Sequence, residues 1–597
     1  MDLVWRDTIV EESNLNVIIH TLRKALGDDP RESKYIETVA KRGFRFVAKV
    51  QTEIHNGIQN EQLITAQNFS VDRQFPPLQV MPASPALAEF ARPTNRRLMI
   101  WLTAVTAVIL MAAIFFLGQK NRQPETRQIV APEAIRTIAV LPFRVLSTEK
   151  DDDYLSLGLA DALITTLSQT RQVIVRQTET ISKYQTSGKD PLEAGREQNV
   201  DAVLEGQVQR MGDRVRVTAR LIRTSDGTSL WADHFDEQFT NIFAVEDAIA
   251  EKVARTAVHA MKDSNPNLAI ERLTKHYTDN NQAYEAYLKG RYLWNKRTVD
   301  SLHKALAYFQ EAIRLDPNYS LAYVGLADTY TLLSFFTLMA PNEAFPKARA
   351  AAEKALAIDN TLAEAYTALG QVKSFYEWDW NGAEEEFQKG ISLDPNYPLL
   401  HHWRSLNLMA MGRSNEARAA MQRALELDPL LIIANVNLGR IDYYEERYDE
   451  AIKQYQRALE LDDNFMRTHL RLSLAYTRQG LYQDALNESQ KARAIAGDTP
   501  QITAQIAYVL AISGQQTKAR DALAELKGRA ARQYVPPYDF ALIYTGLGDK
   551  DQAFEWFEKA YADHSTEMIY FKVEPMLASL RSDPRYQNML VRMRRAQ

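Results

Sequence analysis

The stretch "AYFQEAIRLDPNY" (307–319) returns as "EEFQKGISLDPNY" (385–397), "AAMQRALELDPLL" (419–431) and "KQYQRALELDDNF" (453–465). The copies are offset by 78, 34 and 34 residues, so the basic period is close to 34, with one longer pair of units in the middle. A period of that length marks a stack of helix pairs. Each copy is an amphipathic helix that runs out at Leu-Asp, and the proline that usually follows cannot continue it. Small residues recur where helices must approach: Ala417 and Ala424, then Gly439, Ala451 and Ala458, then Ala541, Ala553 and Ala560. Larger Tyr455, Tyr544 and Phe557 stand beside them. One such pair cannot bury its apolar face alone, so neighbours stack into a superhelix.

The pattern resembles the tetratricopeptide repeat, with about eight units over 280–565. Residues 566–597, including "KVEPMLASLRSDPRYQNMLVRM" (572–593), read as capping helices. The resemblance implies an all-α superhelix whose concave face takes a protein or peptide partner. Tyr287, Tyr292, Trp294, Trp378, Trp380 and Trp403 are candidates to line that face, although their spacing suits core packing for most of them.

Upstream of the repeats, residues 133–263 alternate between strand and helix patterns. "IRTIAVLPF" (135–143) reads as a buried strand, "LGLADALITTLSQT" (157–170) as a helix and "QVIVRQ" (172–177) as a strand. "DPLEAGREQNV" reads as a helix. Then Val215, Val217, Ala219 and Leu221 alternate with Arg214, Arg216, Thr218 and Arg220, between turns at Gly212-Asp213 and Asp226-Gly227, so this part is an antiparallel meander. "AVEDAIAEKVARTAVHAM" closes with a helix. "IAVLPF", "DALITTLSQ", "VDAVLEGQVQRMGDRVRVTARLI" and "LWADHFDEQF" resemble the TolB N-terminal-like domain, which implies a small α/β fold with an interaction or sensing role. Asp151-Asp152-Asp153 reads as a solvated loop rather than a cation site, because no converging ligands accompany it.

Residues 51–97 are polar and then proline-rich and read as a flexible linker. Leu98 to Gly118 is a run of 21 residues without a charge. That is long enough for a transmembrane helix, and Trp101 sits near one end. Arg96 and Arg97 on one side nearly balance Lys120 and Arg122 on the other, so charge does not set an orientation. DNA binding by the N-terminal part would put residues 1–97 in the cytoplasm and 119–597 outside it.

That N-terminal part is residues 1–50. Leu15, Ile19, Leu22 and Leu26 form one apolar stripe, between start signals at Glu11–Asn14 and a stop at Gly27-Asp28-Asp29-Pro30. Ser13, Val17, His20 and Lys24 face the other way, flanked by Thr21 and Arg23. "KYIETVAKRGFRFVAKV" (34–50) then gives two strand-like runs around Lys41-Arg42-Gly43. From Ser13 to Lys49 there are eight Lys and Arg against four Asp and Glu, a local excess that suits a polyanionic partner. "VWRDTIVEESNLNVIIHTLRKALGDDPRESKYIETVAKRGFRFVA" (4–48) resembles the C-terminal half of an OmpR/PhoB-type winged helix. The resemblance implies a recognition helix at about 13–27 that faces double-stranded DNA with Ser13, Asn14, Val17, His20, Thr21, Arg23 and Lys24. It assigns Thr38, Lys41 and Arg42 to the wing. Met1 falls in what should be the second helix, so the resemblance leads us to expect the true start upstream.

The whole chain has 597 residues and a net charge of −5, so any basic footprint is local. It has no cysteine, which excludes disulfides, thiolate metal sites and Cys nucleophiles. No Walker loop, HExxH or GxSxG is present. His401 and His402 are adjacent, so a helix would point them about 100° apart. Asp442/Glu445 and Glu445/Glu446 read as solvated repeat surface. No enzyme activity, metal or cofactor is expected. The expected fold class is multidomain: a partial α+β winged helix, one transmembrane helix, a small α/β (TolB N-terminal-like) domain and an all-α tetratricopeptide superhelix. The order resembles a ToxR/CadC-like membrane-anchored transcriptional regulator, in the inner membrane by a single pass with the later domains periplasmic. It would bind DNA, as a homodimer on paired half-sites, and sense a protein or peptide through its repeats. A membrane-anchored repeat scaffold with a vestigial DNA-binding segment is the other reading.

Overall fold

The computed structural model describes residues 36–39, 43–46, 135–146, 152–171, 173–239, 242–259 and 277–595. The chain divides into two units, 1–115 and 116–597. In the first, β1 (Ile36–Val39) and β2 (Gly43–Phe46) form an antiparallel hairpin in which Ile36 opposes Phe46 and Val39 opposes Gly43. The residues expected to form a recognition helix, the linker 51–97 and the stretch 98–118 lie outside the described residues.

The second unit begins with a mixed sheet. β3 (Thr137–Val140) pairs in parallel with β5 (Ile174–Val175) and β6 (Ala202–Met211). β7 (Arg214–Arg223) and β8 (Ser229–Gln238) continue it antiparallel, and the two-residue β4 (Arg144–Val145) pairs with β6. Val215, Val217, Ala219 and Leu221 on β7 are fully buried, and the arginines between them face out. Two long helices, α1 (Tyr154–Ser168) and α2 (Ile242–His259), cover the apolar side.

Sixteen helices follow among the described residues, in eight pairs that we number as repeats. They are Asn281–Asn295 with Val299–Leu315, Ser320–Phe335 with Pro341–Ile358, Ala363–Val372 with Trp380–Leu393, and Pro398–Met411 with Ser414–Leu427. Then come Ile432–Tyr444 with Tyr448–Leu461, Met466–Arg478 with Tyr482–Ala496, Pro500–Ile512 with Gln516–Ala530, and Pro537–Leu547 with Lys550–Asp563. The Asp of the Leu-Asp-Pro signature, and its equivalents Asp359 and Asp462 where no proline follows, has a local role. The Asp caps the second helix of its pair in an extended conformation, and its carboxylate accepts the backbone N–H two residues on. Asp316 takes Asn318 at 2.9 Å, Asp359 takes Thr361 at 3.0 Å, Asp394 takes Asn396 at 2.9 Å and Asp462 takes Asn464 at 2.9 Å. Helices within a pair meet at a glycine: a Cβ on Gly290 would lie 2.7 Å from the Phe309 ring, and one on Gly370 would lie 2.6 Å from Phe387. The capping segment is a 3-10 turn (Pro575–Leu580) and a helix (Pro584–Arg595).

Among the described residues no helix is long and apolar enough to cross a membrane. Spanning the hydrocarbon takes about 20 apolar residues. The longest described helices, α2 and Pro341–Ile358, have 18 residues each and carry charges such as Glu246, Glu251 and Lys252 in one and Arg349 and Glu353 in the other. The fold class is corrected accordingly. The transmembrane helix is withdrawn, and with it the single-pass inner-membrane placement with periplasmic domains.

Candidate binding cavity

The repeat array curls until its ends meet other parts of the chain. Asn342, at the start of the second helix of repeat 2, donates to the carbonyl of Ala562 at 3.0 Å. The His564 ring stacks on Trp378 at 4.6 Å and 22°, and its Nδ1 lies 2.6 Å from the Tyr376 carbonyl. The segment after repeat 8 therefore folds into the concave side. The α/β domain crosses the other side, from repeat 1 to repeat 4. Asp161 on α1 holds the Arg291 guanidinium at 2.7 and 3.0 Å, and Tyr154 donates to Glu285 at 2.9 Å. Arg176 donates to the carbonyls of Leu427, Gln198 (3.1 Å) and Asn199 (2.8 Å). Asp428 accepts from the Gln177 N–H at 3.1 Å and the Thr180 hydroxyl at 2.7 Å.

Between these walls lies a cavity of about 340 Å³. Its apolar side is an aromatic box. Phe335 stacks on Trp403 at 5.6 Å and 13°, and Phe375 meets both edge-on at 4.9 and 5.8 Å. Its polar side carries Arg297, Arg440, Arg467 and Arg471 with Glu179, Asp328 and Glu567. Glu567 binds Arg440 at 2.8 Å and lies 3.7 Å from Arg471, and Glu179 lies 3.5 Å from Arg297. Arg440 also covers the Tyr570 ring at 4.0 Å. Arg467 donates to the Phe335 carbonyl at 3.4 Å, and no carboxylate lies within salt-bridge distance of it among the described residues. Burial first, then the charges of its neighbours, pull its guanidinium down to about 10. Burial likewise holds the Asp328 carboxyl up, at about 6, against the pull of Arg291 and Arg297.

The positions expected to contact DNA stand apart from this cavity. Ser13, Asn14, Val17, His20, Thr21, Arg23, Lys24, Lys41 and Arg42 lie outside the described residues. Thr38 is on β1, opposite Phe44. Of the aromatic candidates, Trp294 and Trp403 line the cavity, whereas Tyr287, Trp378 and Trp380 are buried in packing. Two surface readings are corrected. Asp442 is buried, 7% exposed, and accepts from Arg418 and Arg447 at 2.8 and 2.6 Å. Asp152 is buried at 4%, with Arg210 3.9 Å away. The two histidines diverge: His401 Nε2 meets the Pro395 carbonyl at 2.9 Å, and His402 Nε2 meets Asn437 Nδ2 at 2.9 Å. Sequence reading missed the arginine cluster, because residues 297, 440, 467 and 471 converge only through the curl of the array.

The chain matches several family models. "Transcriptional regulatory protein, C terminal" matches residues 1–46, and "HilA/YgeH-like transcriptional regulator, second domain" matches 134–252. Tetratricopeptide models match 398–431, 439–480 and 538–562. Over 134–252 the match is to a HilA-like second domain, and the TolB-like reading of that segment gains no support from it. Alternating Val and Ala with Arg along a meander fixes strands and their faces, a pattern that many small α/β domains share. Transcriptional regulator HilA of Salmonella typhimurium is 23% identical over 455 residues, 76% of this chain and 66% of that protein. Putative adenylate cyclase 3 of Rhizobium meliloti is 29% identical over 191 residues, 32% of each chain. The cholera toxin transcriptional activator of Vibrio cholerae is 43% identical over 53 residues, 8% of this chain and 18% of that one. The chain thus spans about a third of the cyclase-named relative and just under two thirds of HilA. With a regulator C-terminal segment, a HilA-like second domain and tetratricopeptide repeats in that order, the chain resembles the ToxR/CadC-like transcriptional regulators.

Proposed function

We propose that the chain is a DNA-binding regulator that reads double-stranded DNA through its N-terminal segment and takes a protein partner on its repeats. The observation that carries this reading is the match of residues 1–46 to a transcriptional regulator's C-terminal domain. Three features support it: the basic excess in that segment, the helix face with Ser13, Asn14, Val17, His20, Thr21, Arg23 and Lys24, and the β1–β2 hairpin. Hairpin residues Thr38, Lys41 and Arg42 would act as the wing, with Lys41 and Arg42 on phosphates. Two copies on paired half-sites would suit the symmetry of such motifs.

The test is DNA binding by the full chain at several salt concentrations. Arg42→Ala is expected to weaken binding across all sequences and to lower the salt slope by about 1. Arg23→Ala is expected to relax sequence preference instead. A salt slope unchanged by Arg42→Ala would remove the wing from the interface.

A further inference from the structure

The cavity holds more positive charge than its own carboxylates answer. Glu567 is shared by Arg440 and Arg471, and Glu179 stands near Arg297. Arg467 is left with a carbonyl and the Phe336 ring, 5.2 Å away. Arg467 and Arg471 are one turn apart on the same helix, a like-charge spacing that costs stability when nothing lies between the two.

Polar atoms without partners gather on the same walls. Among the described residues, His402 Nδ1, Trp294 Nε1, Arg297 Nε and Tyr570 Oη are buried with no hydrogen-bond partner, and all four residues line this cavity. His402 is 1% exposed. With Asn437 Nδ2 donating to its Nε2, the ring proton sits on Nδ1, which makes Nδ1 a donor in want of an acceptor. Buried polar groups are almost always satisfied, so a cluster of unsatisfied donors beside Arg467, an arginine without a carboxylate, calls for an acceptor with negative charge.

Size and walls fix the rest. Ligand pockets run from roughly 300 to 1,000 Å³, and this one is near the lower bound at about 340 Å³. One side is the Phe335–Phe375–Trp403 box, and the chain's own Glu567 and Tyr570 stand in the concave groove where a long peptide would run. We propose that this cavity binds a small organic acid, with its carboxylate at Arg467 and Arg471 and its apolar body against Phe335 and Trp403. This goes beyond the DNA-binding reading and does not depend on it, because binding is measured without DNA.

The test is titration of the full chain with indole-3-acetate, 3-phenylpropionate and octanoate, each against its primary amide, and with a tetrapeptide bearing a free C-terminus. Binding is read by calorimetry and by tryptophan emission, to which Trp294 and Trp403 contribute. At least one acid is expected to saturate, and its amide to bind about tenfold or more weakly, the size of one lost charged hydrogen bond. Arg467→Met is expected to abolish the preference for acid over amide, and Arg467→Lys to restore part of it. If Arg467→Met does not fold, judged by its far-ultraviolet dichroism, Trp403→Leu carries the same readout through weaker binding of the two aromatic acids. Equal binding of acids and amides, no saturation by any acid, or saturation by the tetrapeptide alone would each overturn the proposal. Failure here with DNA binding intact would leave the regulator reading in place.

Discussion

His402 sits in the middle of the array with its ring fully enclosed, and its protonation links the cavity to acid stability. Burial first, then the charge of Arg467, push its imidazole down from 6.5 to about 3. The unfolded chain binds a proton here below 6.5, and the folded chain does not until about 3. Stability from this residue is therefore complete above 6.5 and is lost as the pH falls towards 3. His402→Asn is expected to flatten that acid-side loss, whatever it does to stability at neutral pH. Melting temperatures across the acid range check this, and a slope equal to that of the unaltered chain would mean the ring is protonated in the fold. Nothing in "LLHHWRS" (399–405) distinguishes the two histidines, one on a carbonyl and one against Asn437. That difference is set by residues 35 positions away.

At the scale of the element, the turn inside each helix pair takes one left-handed residue. Four of them are glycines, Gly412, Gly480, Gly514 and Gly548, with φ between 78° and 82°. The other four are Arg297, Thr337, Trp378 and Glu446, with φ from 53° to 59°. A side chain in that region costs roughly 1–2 kcal/mol relative to the right-handed form. Glu446 is exposed, and among the described residues it pairs with Arg581 alone, at 3.6 Å. Glu446→Gly is therefore expected to stabilise the chain by about 1 kcal/mol, since the relieved strain exceeds the entropy a glycine adds. Denaturant unfolding measures it, and a loss of stability would show that Arg581 matters more than the backbone. The helix ends at Leu-Asp-Pro were legible because their cause is local, a proline that cannot continue the helix. The turns at Arg297 and Trp378 were not legible. Arg297 lines the cavity and Trp378 lies under His564, so long-range packing holds both residues there against local preference.

At the scale of the whole molecule, the α/β domain and the repeats are joined by a contact that the sequence disguises. Asp428 has the same place in its repeat as Asp316, Asp394 and Asp462, yet it is fully buried and reaches across to Gln177 and Thr180. Beside it Arg176, 2% exposed, supplies three backbone carbonyls from two parts of the chain. Burial lowers the Arg176 pKa and raises that of Asp428, and each charge partly restores the other. The two are not in direct contact, but removing one of two buried charges that compensate each other leaves the other uncompensated, at a cost of about 3–5 kcal/mol at most. Arg176→Met is expected to lose up to that much, and to do so unevenly. Amide exchange should quicken at 174–199 and around 427–432, while the capping segment after repeat 8 keeps its protection. Asp428→Asn alone should cost less, because the amide keeps an acceptor for Thr180. The double variant should fall short of the sum of the two, by an amount that measures their coupling. If the costs instead add, with exchange unchanged at 427–432, the two residues stabilise their own parts separately and the α/β domain is held to the array by its other contacts, Asp161–Arg291, Tyr154–Glu285 and Glu179–Arg297 among them.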